Sequence, residues 1–149
     1  MADIKWSAFT SVGALQASDQ LVGLRAGVNV RFTAPIFGSQ IVVVTSASQA
    51  MTTNTIYLAN APASLVTFTL PTTSEVGDRI SVQGVSSNGW TIHQASGQQI
   101  FVAPTNTTLG AGGSLSSTSQ YDSINLICTV ANTMWASFGG GQTTGFTIV

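Results

Sequence analysis

The chain has 149 residues, enough for one compact domain with a short appendage. Only 6% of them are charged, where a typical soluble domain carries about 25%, while the hydrophobic fraction is an ordinary 44%. The bases Lys5, Arg25, Arg31 and Arg79 and the acids Asp3, Asp19, Glu75, Asp78 and Asp122 form no basic patch and no polybasic run, which excludes the electrostatic footprint of a nucleic-acid-binding or membrane-surface protein.

The N-terminal segment, residues 1–37, holds five of the nine charges and reads as a unit of its own. Its first residues, Met1-Ala2-Asp3-Ile4-Lys5-Trp6, lack the apolar stretch of a signal peptide, so synthesis in a cytoplasm without export by the usual route is expected. Leu21-Val22-Gly23-Leu24 and Val28-Asn29-Val30-Arg31-Phe32 read as two short strands. Arg25-Ala26-Gly27 would be a three-residue hairpin connection, with Gly where positive φ is often needed. Thr33 ahead of Ala34-Pro35 can cap a single helical turn.

From Gly38 onward, strand-like runs alternate with turn signals. Ile41-Val42-Val43-Val44 is β-branched and reads as a buried strand, far too short to span a bilayer. Thr55-Ile56-Tyr57-Leu58 is another strand. In Val66-Thr67-Phe68-Thr69-Leu70 apolar residues alternate with Thr, as a half-buried strand requires, and Pro71 ends it. Residues 79–102 read as a meander with Asn88-Gly89 as its hairpin turn and Ala95-Ser96-Gly97 as the next reversal. The Gly- and Ser-rich residues 106–119 read as loop. Residues 123–130 and 133–138 make a last hairpin across Ala131-Asn132, followed by Gly139-Gly140-Gly141 and the apolar tail Phe146-Thr147-Ile148-Val149.

No helical period of useful length occurs, and many short strands at this spacing predict an all-β, antiparallel β-sandwich or jelly-roll-like domain over residues 38–149. Disordered chains are rich in charge and poor in the Val, Ile, Leu and Phe found here. The strands carry almost no charges to protect their edges, and a net charge of -1 gives little repulsion between copies. Self-association is therefore expected. Cys128 is a lone thiol in an apolar strand pattern and reads as a buried, inert side chain.

Two stretches carry a resemblance. Lys5-Trp6-Ser7-Ala8-Phe9, Leu15-Gln16-Ala17-Ser18-Asp19-Gln20-Leu21-Val22-Gly23-Leu24 and Gly27-Val28-Asn29-Val30-Arg31-Phe32-Thr33 resemble the N-terminal attachment motif of tailed-bacteriophage fibre and head-decoration proteins. Val76-Gly77-Asp78-Arg79-Ile80-Ser81-Val82-Gln83-Gly84, Gly89-Trp90-Thr91-Ile92-His93-Gln94 and Gly97-Gln98-Gln99-Ile100 are similar to a β-domain of phage virion surface proteins. The later Tyr121-Asp122-Ser123-Ile124-Asn125-Leu126 and Thr133-Met134-Trp135 belong with it. The resemblance implies a homotrimer on the exterior of a phage particle, bound to the major capsid protein or to a tail or baseplate protein. Since no shaft of repeats separates the two parts, a capsid decoration or cement protein, or a stubby spike, is favoured over a long host-seeking fibre, with capsid decoration slightly ahead of a short tail fibre or spike.

Signals for catalysis are weak. His93 is the only histidine, so one chain has no His-based metal cluster, although three copies could meet on a trimer axis. Nothing marks a nucleophile among the serines. Glu75 and Asp78 could pair for glycan cleavage but read as a turn with Arg79 as charge partner. The glycine clusters lack the lysine and helix of a phosphate loop. No enzyme activity and no cofactor are expected. Trp90 and Trp135 read as core, yet, if exposed, they could stack on a host surface glycan. Trp6, Arg25, Arg31 and Phe32 in the attachment segment are the candidate docking residues, because aromatic and arginine side chains dominate interface energetics.

Overall fold

A computed structural model gives the structure of residues 20–25, 28–33, 40–139 and 145–149. The chain divides into two compact units, Met1–Gly38 and Ser39–Val149. In the first, β1 (Gln20–Arg25) and β2 (Val28–Thr33) form an antiparallel ladder running from Gln20↔Thr33 to Arg25↔Val28. Arg25 is thus a ladder residue and not part of the connection, which shortens to residues 26–27. Carrying the pairing one residue further satisfies backbone groups that a longer turn would leave to water. Thr33 closes β2, and the helical turn expected after it lies outside the described residues.

The second unit contains β3 (Gln40–Val44), β4 (Ser48–Ala50), β5 (Thr55–Ala59), β6 (Val66–Thr69), β7 (Arg79–Gly84) and β8 (Trp90–His93). They are followed by β9 (Gln99–Val102), β10 (Thr105–Asn106), β11 (Ser114–Ser117), β12 (Ser123–Val130), β13 (Met134–Ser137) and β14 (Phe146–Ile148). These strands make a seven-stranded sheet, β10-β9-β13-β12-β7-β5-β3, and a five-stranded sheet, β14-β11-β8-β6-β4. From β3 to β8 the chain changes sheet at every connection. Next neighbours within a sheet are therefore parallel: β3 with β5, β5 with β7, β4 with β6 and β6 with β8. β9 and β13 are also parallel, while β12 pairs antiparallel with both β7 and β13.

Period-2 burial sets what lies between the sheets. Tyr57, Ala59, Ile80, Val82, Ile124, Leu126 and Trp135 from the larger sheet and Val66, Phe68, Trp90, Ile92 and Leu115 from the smaller one are all within 1% of complete burial. Together they form one core. Tyr57 and Phe68 meet across it with ring centroids 5.4 Å apart and planes tilted by 56°. Trp90 packs on Phe146 at 5.7 Å, and its indole N–H donates to the Asp122 carbonyl at 3.0 Å. Each fully buried side chain of this size contributes roughly 1.5–3 kcal/mol.

Several sequence expectations are corrected. The domain is all-β, but its two sheets are mixed, not antiparallel. Turn residues mark where a chain bends; they do not say whether it returns beside itself or crosses over the core. For the same reason residues 79–102 are not a meander: β7 and β8 belong to different sheets. Asn88-Gly89 shapes an arch in which the Asn88 amide donates to the Ala61 and Pro62 carbonyls, and Gly89 takes φ +71°. The stretch read as loop contains β11, which pairs with β8 and β14. β3 forms where expected but is an edge strand with Ile41 and Val43 exposed, and not a buried one.

At one end of the sheets, buried polar groups tie the crossings together. Gln98, 1% exposed, donates from Nε2 to the Pro71 carbonyl at 2.8 Å and the Asn132 carbonyl at 3.3 Å, and accepts the Ala95 N–H at 2.8 Å. Gln94, 3% exposed, brings its Nε2 within 2.6–2.8 Å of the Gln98, Thr108 and Gly110 carbonyls and accepts the Thr107 hydroxyl at 2.6 Å. A Cβ at Gly113 would collide with the Thr108 carbonyl and the Gln94 amide. Replacing Gln98 by Leu keeps the volume but strands the Ala95 N–H and the Pro71 carbonyl, each costing about 1–3 kcal/mol. Gln98→Leu is expected to lower unfolding stability by about 2–4 kcal/mol in urea titrations; a loss below ~1 kcal/mol would show that the amide is not a structural tie.

Candidate interaction surfaces

The outer face of the seven-stranded sheet follows from the same alternation. Reading along the registers, its residues are Ile41 and Val43 on β3 and Ile56 and Leu58 on β5. Next come Arg79, Ser81 and Gln83 on β7, and Ser123, Asn125 and Ile127 on β12. Ala136 on β13 and Phe101 on β9 continue the Ile127 row, with Asn106 on β10 beside Phe101, and Met134 and Gln99 form the next outward pair. Phe138 follows β13 and extends the ladder through its N–H to the Asn125 carbonyl at 3.0 Å.

That face has three zones. On one flank Ile41 pairs with Ile56 and Val43 with Leu58, a block of four aliphatic side chains in which Ile41 and Val43 are 64% and 55% exposed. A polar lane follows, where the Ser81 hydroxyl donates to Asn125 Oδ1 at 2.7 Å and Gln83 Nε2 donates to the Tyr121 carbonyl at 2.8 Å. On the far flank lie Ile127, Ala136, Phe101 and Phe138, with the Arg79 guanidinium 5.2 Å from the centre of the Phe138 ring. Among the described residues no other charged side chain lies on the face. A guanidinium over an aromatic face is held by the ring quadrupole.

The signal for this surface was present in the sequence. β3 and β5 are apolar at both parities, Val42 and Val44 as well as Ile41 and Val43, Tyr57 and Ala59 as well as Ile56 and Leu58. A strand covered on one side needs apolar residues on that side only; an unbroken run belongs to a strand covered on both.

The outer face of the five-stranded sheet has a different chemistry. One cross-strand row reads Ser48, Thr67, Thr91, Ser116 and Thr147, and the next Ala50, Thr69, His93 and Ser114. Thr91 and Ser116 share a hydrogen bond at 2.7 Å. His93 is exposed here among hydroxyls.

Among the described residues the titratable groups do not converge. Asp78 is engaged by the Asn54 amide at 2.8 Å and the Glu75 N–H at 2.9 Å, which makes it a turn-former. Arg79, expected as a charge partner there, stacks on Phe138. Asp122 Oδ2 accepts the Thr118 and Ser119 N–H groups, each at 2.8 Å. Cys128 is buried, with its sulfur 3.3 Å from the Ser74 hydroxyl. Among the described residues no group of three or more His, Cys, Asp or Glu could hold a metal ion, and no helix is long and apolar enough to cross a membrane.

Of the candidate docking residues, Arg25 sits opposite Val28, Arg31 opposite Val22 and Phe32 opposite Leu21 in the N-terminal ladder. Trp6 lies outside the described residues. Trp90 and Trp135 are both 0% exposed and form core instead of sugar-stacking platforms.

No protein-family model matches the chain, and no curated protein matches it significantly.

Burial of both tryptophans has a direct optical consequence. In a Trp6→Phe variant the remaining emission comes from Trp90 and Trp135 alone. It should be blue-shifted, resist acrylamide quenching and stay unchanged on addition of oligosaccharides. Strong quenching would place one of these rings at the surface and reopen the stacking role.

Proposed function

We propose that this chain is a non-catalytic structural protein of a bacteriophage virion, acting as a homotrimer on the outside of the particle. Residues 1–37 form the docking segment, and the remainder is a β-sandwich display domain. Capsid decoration or cement is the favoured place, with a short tail fibre or spike as the alternative. The observation that carries the reading is the outer face of the seven-stranded sheet: an exposed aliphatic block on a protein with almost no charge calls for a permanent partner. Isolated exposed apolar side chains are ordinary, whereas a contiguous block on an edge strand is an association surface.

Two further observations support it. The chain separates between Gly38 and Ser39 into two compact units, and the resemblance to phage attachment motifs lies wholly within the first. Among the described residues the acidic, histidine and thiol groups are scattered, and those with hydrogen-bond partners serve turns or core. A host-glycan-binding module is the weaker reading, because glycan sites are built on exposed aromatic rings and two of the three tryptophans are buried.

In this reading Arg25 and Arg31 grip acidic groups of the capsid or tail partner, since the guanidinium binds a carboxylate through two parallel hydrogen bonds. Truncating one side of a desolvated charge pair costs about 2–5 kcal/mol, mostly in dissociation rate. The double variant Arg25→Ala, Arg31→Ala should fold and assemble as the parent does but occupy purified particles far less at physiological salt. Unchanged occupancy in a particle-binding assay would remove the arginines from the docking surface. Imaging of labelled protein on intact virions would separate a head position from a tail position.

A further inference from the structure

We infer that the two apolar flanks of the seven-stranded sheet are the two halves of one repeated contact, in which the β3–β5 flank of one subunit seats on the β9–β13 flank of the next. The inference rests on the homotrimer reading and specifies the surface that makes it.

A contact between identical chains is either isologous, the same patch meeting itself about a twofold axis, or heterologous, two different patches meeting and closing a ring by rotation. The outer face carries two different patches. Ile41, Val43, Ile56 and Leu58 are branched aliphatic side chains set two by two in register. Phe101 and Phe138, with Ala136 beside them, make an aromatic surface with a small residue in it. Such shapes complement each other better than either complements itself, because protruding methyl groups fill the space beside a ring.

The polar lane between the flanks fits the same arrangement. If three sheets present this face inward, their flanks touch and their centres line the axis. Ser81, Gln83, Ser123 and Asn125 would then face an axial space that water can occupy, and the Ser81–Asn125 hydrogen bond already satisfies part of that lane. An uninterrupted apolar face would instead favour flat stacking of two sheets.

Electrostatics select a second copy over a charged partner. No charged residue occurs between positions 34 and 73, so the β3–β5 flank offers nothing for a charged partner to pair with, and copies of it do not repel each other. The single charge on the face among the described residues, Arg79, is held on Phe138.

The test uses the full-length protein and three measurements. Native mass spectrometry of the parent should give a trimer. Under mild oxidation Val43→Cys with Phe101→Cys in one chain should form covalently closed trimers on a non-reducing gel. Neither single variant should cross-link, and a mixture of the two singles should stop at dimers; the buried Cys128 is common to all. The paired substitution Ile41→Arg, Leu58→Arg should give a folded monomer with an unchanged β-sheet spectrum. Covalent dimers from Val43→Cys alone would show an isologous contact and overturn the inference. A parent trimer that the arginine variant leaves intact would mean that another segment or a particle protein covers this face; it overturns the seam and leaves the trimer reading standing. A monomeric parent at micromolar concentration overturns both.

Discussion

Two buried glutamine amides hold the end of the two sheets where the β6–β7, β8–β9 and β10–β11 crossings come together. Each crossing drags backbone N–H and C=O groups over the edge of the core, where an unpaired group costs about 1–3 kcal/mol. Gln94 and Gln98 flank the turn at residues 95–97 and reach into other connections: Gln98 to Pro71 and Asn132, Gln94 to Thr108 and Gly110. Asn132 and Ser74 add a second tie, exchanging backbone and side-chain bonds at 2.7–3.1 Å. Four connections distant in sequence therefore share one set of hydrogen bonds. An amide suits this place because it offers donors and an acceptor without a charge to desolvate.

Once that end is fixed, the alternation between sheets has a consequence for the outer surface. Strands in chain order from β3 to β8 cannot shield each other's edges by hairpins, so β3 and β4 remain as edges. Proteins blunt edges with short strands, charge or cover. Here β4, β10 and β14 are two or three residues long, which leaves little backbone to template pairing. β3 is the exception, with five residues, no charge and an exposed Ile41 and Val43. Three edges are managed by brevity and the fourth is left sticky.

Much of this was legible in the residues. Alternation of apolar residues with Thr located β6, and the turn signals between strand-like runs bounded β7 and β8. What alternation cannot supply is the partner of each strand. Asn88-Gly89 has the composition of a hairpin turn, yet the same positive-φ preference serves an arch, and only the packing of Trp90 under Asp122 and Phe146 decides between them. β11 was missed because Ser114, Ser116 and Ser117 suit loops as well as exposed strand positions, and its one inward residue, Leu115, gives no periodicity by itself. The Ile56 and Leu58 side of β5 was visible as an unbroken apolar run, but without the register its outward direction could not be assigned.

The scarcity of charge also fixes how such a surface can be specific. A charged interface chooses its partner at a distance, by steering, and loses strength as salt screens it. An aliphatic block beside an aromatic one has no long-range field; it discriminates only at contact, through register and the fit of methyl groups around rings. That discrimination depends on rigidity, since mobile strands would accommodate many surfaces equally. The spacing of the outer residues of β5 and β7 is set by their inner neighbours, Tyr57, Ile80 and Val82, which are buried in the core. In the proposed seam, core order would be the source of selectivity: the same backbone that buries Tyr57 sets the spacing of Ile56 and Leu58 on the other side.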